Sequence, residues 1–157
     1  MRIGVVSDSH GNLKSLEKAV NAIGNAAVIF HLGDYVEDAM AIKQWTDVPV
    51  ISLLGNMDFG NPNGHLLVKT QIAGKTIMAC HGHKYGVKSG LGTLYSKGKE
   101  ENAEIVLYGH THVPVIKQTG GIFIMNPGAL AYARPGGEET YGIISIEKDQ
   151  IDGEIIP

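Results

Sequence analysis

The stretch RIGVVSDSHGN, residues 2–12, decides the fold. Its first half is a short unbroken apolar run, the pattern of a strand covered on both faces. Its second half is polar and turn-forming. Leu13, Leu16, Val20 and Ile23 then follow at helical spacing, and Gly24 closes the segment. The alternation continues. AVIFHL (27–32) leads into Gly33-Asp34, EDAMAIKQW (37–45) reads as a helix ended by DVP, and PVISLL (49–54) leads into GNMDFGNPNG. Strand, helix, strand, helix, strand points to parallel βαβ units and an α/β domain.

Past residue 60 the pattern changes. LLVKTQI and KTIMAC are joined by Ala73-Gly74, a hairpin signal. A glycine-punctuated helix is expected over roughly 88–102. EIVLYGHTH, PVIKQT, GIFIMN, TYGIISIE and QIDGEII are strand-rich with short turns, so the second half is expected to be mostly antiparallel. No repeat, linker or low-complexity tail interrupts the chain. The expected product is one domain over 1–157, two sheets packed together with helices outside.

Composition narrows the class. The 157 residues carry 13 basic and 16 acidic side chains, a formal net charge of −3, with no Lys/Arg stripe to attract nucleic acid or an anionic membrane. No apolar run approaches the ~18 residues of a membrane-spanning helix, and MRIGVVSDSH does not read as a signal peptide. A single cysteine, Cys80, rules out an internal disulfide framework and suits a reducing compartment, so a cytoplasmic protein is expected.

Five apolar runs end in the same chemistry. RIGVV is followed by Ser7-Asp8-Ser9-His10, AVIFHL by Gly33-Asp34, VISLL by Gly55-Asn56-Met57-Asp58, TIMAC by His81-Gly82-His83, and EIVLY by Gly109-His110-Thr111-His112. Strand ends of α/β sheets are where loops converge on one rim. Asp8, His10, Asp34, Asn56, His81, His110 and His112 are seven oxygen and nitrogen donors, against four for a typical tetrahedral site. Without thiolates the set suits manganese, iron, zinc, nickel or cobalt. One shared carboxylate would bring two ions to within roughly 3.5–4 Å, the spacing of two-metal hydrolytic centres. Singly, each piece has a blander reading: a helix N-cap, a turn dipeptide, a hydrogen-bonded histidine. Together, in this order, they point to a dinuclear site.

With those residues in view, the chain resembles the calcineurin-like metallophosphoesterases, whose ordered blocks are D-x-H, G-D, G-N-x-[DE], H and G-H-x-H. Here they are DSH at 8–10, GD at 33–34, GNMD at 55–58, HGH at 81–83 and GHTH at 109–112. Length and HGHKYG are most similar to the small YfcE-type phosphodiesterases. The resemblance implies a four-layer α/β/β/α sandwich of two packed mixed sheets and two divalent metal ions, manganese foremost. It implies one ion on Asp8, His10, Asp34 and His112, the other on Asp34, Asn56, His81 and His110, with Asp34 bridging. Two cations carry +4 against −2 from the two aspartates, so such a centre would attract phosphate and acidify a bridging water, giving hydroxide for in-line attack on phosphorus. A small phosphodiester is the implied substrate, and a homo-oligomer, dimer or tetramer, the implied assembly.

One position departs from the pattern. Many family members have His at the third position of the G-N-H-[DE] block, assigned as the acid for the leaving group. This chain has Met57, a thioether with no proton to donate. Asp58 then loses its usual partner and is left to hold the loop. His83 is the nearest replacement acid, with a hydrogen bond inside its own loop as the competing role. Loss of a general acid costs about 10²–10⁴-fold, which favours substrates with good leaving groups. The YfcE-type relatives also lack that histidine, which favours diesters.

Other features carry less. AGKT at 73–76 is not a P-loop, because the pattern needs glycine where Lys69 stands. The loops at 59–66 and 132–139 could border the site, with Lys84 and Arg134 as phosphate contacts if their loops fold over it. The family also includes a retromer subunit that keeps the fold as a protein-binding scaffold with a degraded metal site. All seven donors are present here, which argues against that role and against a metal-binding regulator without turnover.

Overall fold

The computed structural model describes residues 1–131 and 136–157. Arg134, one of the two conditional phosphate contacts, lies outside the described residues. Ten strands and three helices follow in the order β1 (Arg2–Val6), α1 (Leu13–Ile23), β2 (Val28–His31), α2 (Val36–Ile42), β3 (Val50–Ser52), β4 (Leu67–Ile72), β5 (Lys75–Cys80), α3 (Gly92–Glu100), β6 (Ile105–Leu107), β7 (Val115–Thr119), β8 (Ile122–Asn126), β9 (Tyr141–Glu147) and β10 (Gln150–Ile156). A 3₁₀ turn covers His83–Tyr85. The helices are shorter than their sequence patterns. α2 gives way to turns after Ile42, and α3 fills only the middle of 88–102.

Two five-stranded sheets form, in the orders β10-β9-β1-β2-β3 and β4-β5-β6-β8-β7. Each is mixed. β1, β2 and β3 run parallel, with β9 and β10 added antiparallel at one side. In the second sheet β5, β6 and β8 run parallel, flanked by antiparallel β4 and β7. Most pairings of the second half are antiparallel, as the sequence indicates, and the β5-β6-β8 centre is the parallel exception. The α3 crossover returns the chain beside β5 in the same direction, a connection that short turns cannot make. The final hairpin also leaves its sequence neighbours and completes the first sheet beside β1.

Side-chain alternation builds the layers. Ile3, Val5, Phe30 and Leu32 face Ile77, Ala79, Ile105, Leu107, Phe123 and Met125 between the sheets, with Ile144 and Ile146. The alternate residues point outward. Val6, Ile29 and Ile143 meet Leu16, Val20 and Ile23 of α1 and Ile42 of α2, while Met78, Val106 and Ile124 meet Leu94 of α3. The result is helix, sheet, sheet, helix: the α/β/β/α sandwich. Trp45 packs on the outer face of the first sheet. The Ala73-Gly74 turn has φ of 51° and 76°, the double left-handed geometry of a two-residue hairpin, so AGKT opens a strand and is no phosphate loop.

Parallel strands from both sheets therefore end at one rim. Backbone hydrogen bonds knit those ends together: Asp8 N to Gly33 O at 3.0 Å, Gly109 N to His81 O at 2.9 Å, and Ala131 N to Asp8 O at 3.1 Å.

Candidate metal centre

Asp8 and Asp34 lie at the centre of that rim, both buried. Asp8 Oδ2 accepts from Ser7 Oγ and from His110 N at 3.1 Å. Its Oδ1 faces His112 Nε2 at 3.0 Å and His81 Nε2 at 3.9 Å. Burial pushes the Asp8 carboxyl up, but the His112 contact, the His81 charge and the Ser7 hydroxyl outweigh it and hold it below the usual carboxylate range. Asp34 divides its two oxygens. Oδ2 lies 3.5 Å from His10 Nε2, and Oδ1 lies 3.5 Å from His81 Nε2 while accepting from Met57 N at 3.0 Å.

The histidines flank the aspartates in two groups. His10 and His112 have ring centroids 5.5 Å apart; His81 and His110 are 5.0 Å apart, with His83 another 5.4 Å from His81. His81 Nδ1 lies 2.8 Å from Leu32 O. A carbonyl only accepts, so Nδ1 carries a proton, and Nε2 faces the pocket toward Asp8 and Asp34. That Nε2 is buried with no hydrogen-bond partner among the described residues. Burial, with the His81 and Lys88 charges, pushes the His110 imidazole down to about 4, so it is neutral and fit to ligate at physiological pH. Burial, His81 and Lys84 likewise push His83 down, which reduces the proton it would hold as an acid.

The backbone pays attention to the same residues. Asp8, His10, Asp34, His110 and His112 have φ of 54°, 42°, 56°, 69° and 57°. Left-handed backbone costs a non-glycine residue roughly 1–2 kcal/mol, and such strain concentrates at functional sites. The neighbouring glycines serve close approach. A Cβ on Gly55 would strike the Asp34 carboxylate, and one on Gly109 would strike Ser7 Oγ and come within 2.8 Å of Asp8 Oδ2.

Donor atoms of Asp8, His10, Asp34 and His112 all lie within 4.8 Å of one another, the first of the two expected ligand sets. Of the second set, His81 and Asp34 meet, His110 packs against His81, and Asn56 is exposed on the adjoining loop. The fit to a cation is chemical as well as geometric. Two buried carboxylates have only histidines as ion-pair partners among the described residues, and the buried His81 Nε2 is left without a hydrogen-bond partner. Buried charge without a countercharge is strongly unfavourable, and a divalent ion would relieve both. Asp58 instead accepts from Val36 N and Gly55 N at 2.8 Å each, which ties down the loop carrying Asn56.

Three supporting residues escape a reading of strand ends. Asp38 Oδ2 accepts from Ser9 Oγ at 2.7 Å and Gly11 N at 2.8 Å. Ser9 Oγ in turn lies 2.9 Å from His31 Nε2, and Gly33 N donates to His31 Nδ1 at 3.4 Å. This buried chain connects the loop of Asp8 and His10 to the loop of Asp34. Asn126, at the end of β8, donates to Gly109 O and Thr111 Oγ1 at 3.0 Å each and props the GHTH turn. GIFIMN ends in Asn as the other five runs end in Asp, Asn or His, a signal the strand-end comparison could have used. A histidine closing the apolar run before Gly33 was the signal for His31.

Fold and site together define an α/β/β/α protein whose rim carries an aspartate–histidine cluster able to hold a metal ion. The calcineurin-like phosphoesterase superfamily domain matches residues 1–149, and the chain belongs to that family. Phosphodiesterase YfcE of Escherichia coli (strain K12) is 28% identical over 119 residues, 76% of this chain and 59% of that protein. A crystal structure of a predicted phosphoesterase from Streptococcus pneumoniae TIGR4 superposes with a TM-score of 0.85 at 28% identity, covering 99% of this chain and 88% of that one. Vps29 of Entamoeba histolytica, in complex with zinc, has the same fold at 18% identity and a TM-score of 0.76, covering 99% and 98%. No helix among the described residues is long and apolar enough to cross a membrane.

Proposed function

We propose that this chain is a phosphodiesterase working with two divalent cations, built as one domain over 1–157. The observation that carries the reading is the division of Asp34, with one carboxylate oxygen toward His10 and the other toward His81. Asp8, His10, Asp34 and His112 would hold one ion; Asp34, Asn56, His81 and His110 would hold the other. The donor set suits manganese first, with iron, zinc, nickel or cobalt as alternatives. Such a pair, when bound, supplies Lewis acidity toward phosphate oxygens and a nucleophile from water at neutral pH for in-line displacement.

The chain's own residues do the rest. Ser7 and His110 N fix the Asp8 carboxylate, and the Leu32 carbonyl aims His81 Nε2 inward. Asp58 holds the loop on which Asn56 can reach a phosphoryl oxygen. His83, which lines the same cavity as Asn56, is the candidate partner for the leaving group. Met57 offers it no proton. Without an acid at Met57 the arrangement favours esters with good leaving groups, and the relatives named phosphodiesterases support a diester as the substrate class. A homo-oligomer in a reducing cytoplasm completes the proposal.

Manganese-dependent hydrolysis of bis-p-nitrophenyl phosphate tests it. Turnover is expected for the metal-loaded protein and is expected to drop sharply in Asn56→Ala. No turnover in the loaded wild type, indistinguishable from Asn56→Ala, would favour a binding scaffold.

A further inference from the structure

The loop at 55–61 has a feature that metal binding does not use. Asp58 ties it to Val36 N and Gly55 N, and Asp34 Oδ1 ties it at Met57 N. On this fixed base Phe59 is 100% exposed. Beside it lies a cavity of about 520 Å³, lined by Leu54, Asn56, Phe59, Leu66, His83 and Lys84 with their neighbours. Its lining thus combines two residues of the candidate site, Asn56 and His83, with the apolar side chains of Leu54, Phe59 and Leu66. Its volume falls within the ≈ 300–1,000 Å³ of small-molecule sites.

We propose that this cavity receives one ester group of the substrate, and that the group is a planar aromatic one stacked on Phe59. The inference rests on the reading of the site as a phosphodiester centre. Three observations support it. Phe59 is exposed together with Met57 and Leu66, an apolar patch in place of a lone side chain, and rigid loops lose little entropy on binding. Asn56 and His83 line both the cavity and the edge of the candidate centre, so a phosphate held there has room for its ester group in the cavity. Lys84 adds a cation at the wall, which suits the single negative charge of a diester. A nucleobase and a simple aryl ring share this chemistry.

Ligand-observed saturation-transfer NMR separates the sources, with phenyl phosphate, adenosine monophosphate and methyl phosphate as probes, each titrated with and without diamagnetic zinc. Transfer to the aromatic protons is expected, with methyl phosphate binding more weakly than either aromatic probe. Phe59→Ala should weaken the aromatic probes by about tenfold and leave methyl phosphate unchanged, and Phe59→Tyr should restore them. Loss for adenosine monophosphate as well as phenyl phosphate identifies a nucleobase subsite; loss for phenyl phosphate alone identifies an aryl one. An aromatic preference that survives Phe59→Ala overturns the proposal. So does a Phe59→Ala change confined to a concentration-dependent dimer, which assigns the face to a second copy. Because binding is read directly, absence of hydrolysis with the aromatic preference intact would count against the phosphodiesterase reading and not against the subsite.

Discussion

Asp38 is removed from the rim, yet its exchange for asparagine should be felt there. One carboxylate oxygen accepts from Ser9 Oγ at 2.7 Å and Gly11 N at 2.8 Å, in a side chain on a residue 7% exposed. Hydrogen bonds to an ionised acceptor contribute about 1.5–3 kcal/mol, and neutral ones about 0.5–1.5. Asp38→Asn keeps the shape and can keep both bonds, so the gross loss is about 2–3 kcal/mol for the pair. An amide is easier to bury than a carboxylate, which leaves a net loss of about 2 kcal/mol. For a chain of this size that lowers Tm by about 4–8 °C. Ser9 lies between Asp8 and His10, so the same change should loosen both ligands, and loss of an outer support typically costs about 10–100-fold in metal affinity. Calorimetry of the metal-free protein and a manganese titration read the two effects. Glu37→Gln, one residue earlier on an exposed carboxylate bonded to Asn61, serves as control. A Tm within about 1 °C of wild type together with an unchanged titration would refute the assigned role of the Asp38–Ser9–His31 chain.

Further outcomes follow from the same geometry. Manganese at about 100 times its Kd should stabilise the protein by about 2.7 kcal/mol, seen as a rise in Tm that Asp34→Asn largely abolishes. Gly109→Ala should destabilise by about 1–3 kcal/mol in thermal unfolding, because its Cβ meets Ser7 and Asp8 at the back of the site. His31 is held below its ordinary value of 6.5 chiefly by burial, with His81 adding to the shift and Asp38, Asp8 and Asp58 opposing it. Its folded state resists protonation that the unfolded chain accepts, so this contribution to stability is lost as pH falls below about 6.5. Tm of the metal-free protein should fall over that range, and His31→Gln should flatten the fall. Rates across diesters of graded leaving-group pKa should slope steeply if Met57 leaves no acid in place; a flat series would assign the proton to another group such as His83.

The donors were legible because each stands directly after an apolar run, where chain direction alone fixes its place on the rim. Asp8, His10, Asp34 and His112 meet as that rule requires. The layers were legible too, since Ile3 and Val5 alternate with Gly4 and Val6 as a strand covered on both sides demands. The partner of TYGIISIE was not. Its apolar alternation specifies a buried strand, but nothing local distinguishes a place beside β1 from one beside β7. Nor could the left-handed φ of His10 or His112 be read, because histidine adopts it only when the surrounding loops impose it. Asp38 in EDAM looks like an ordinary first-turn helix acid, and only the folded chain brings Ser9 and Gly11 within its reach.

The place of β9 has a consequence for the order of assembly. Met1 N donates to Ile146 O, and Arg2 pairs with Ser145, across nearly the full length of the chain. During synthesis β1 and β2 can join early, but one flank of β1 stays bare until the last hairpin emerges. An unpaired flank invites wrong partners, and distant pairing slows folding. The strand that delivers Asp8 is therefore made long before the strand that shelters its far flank.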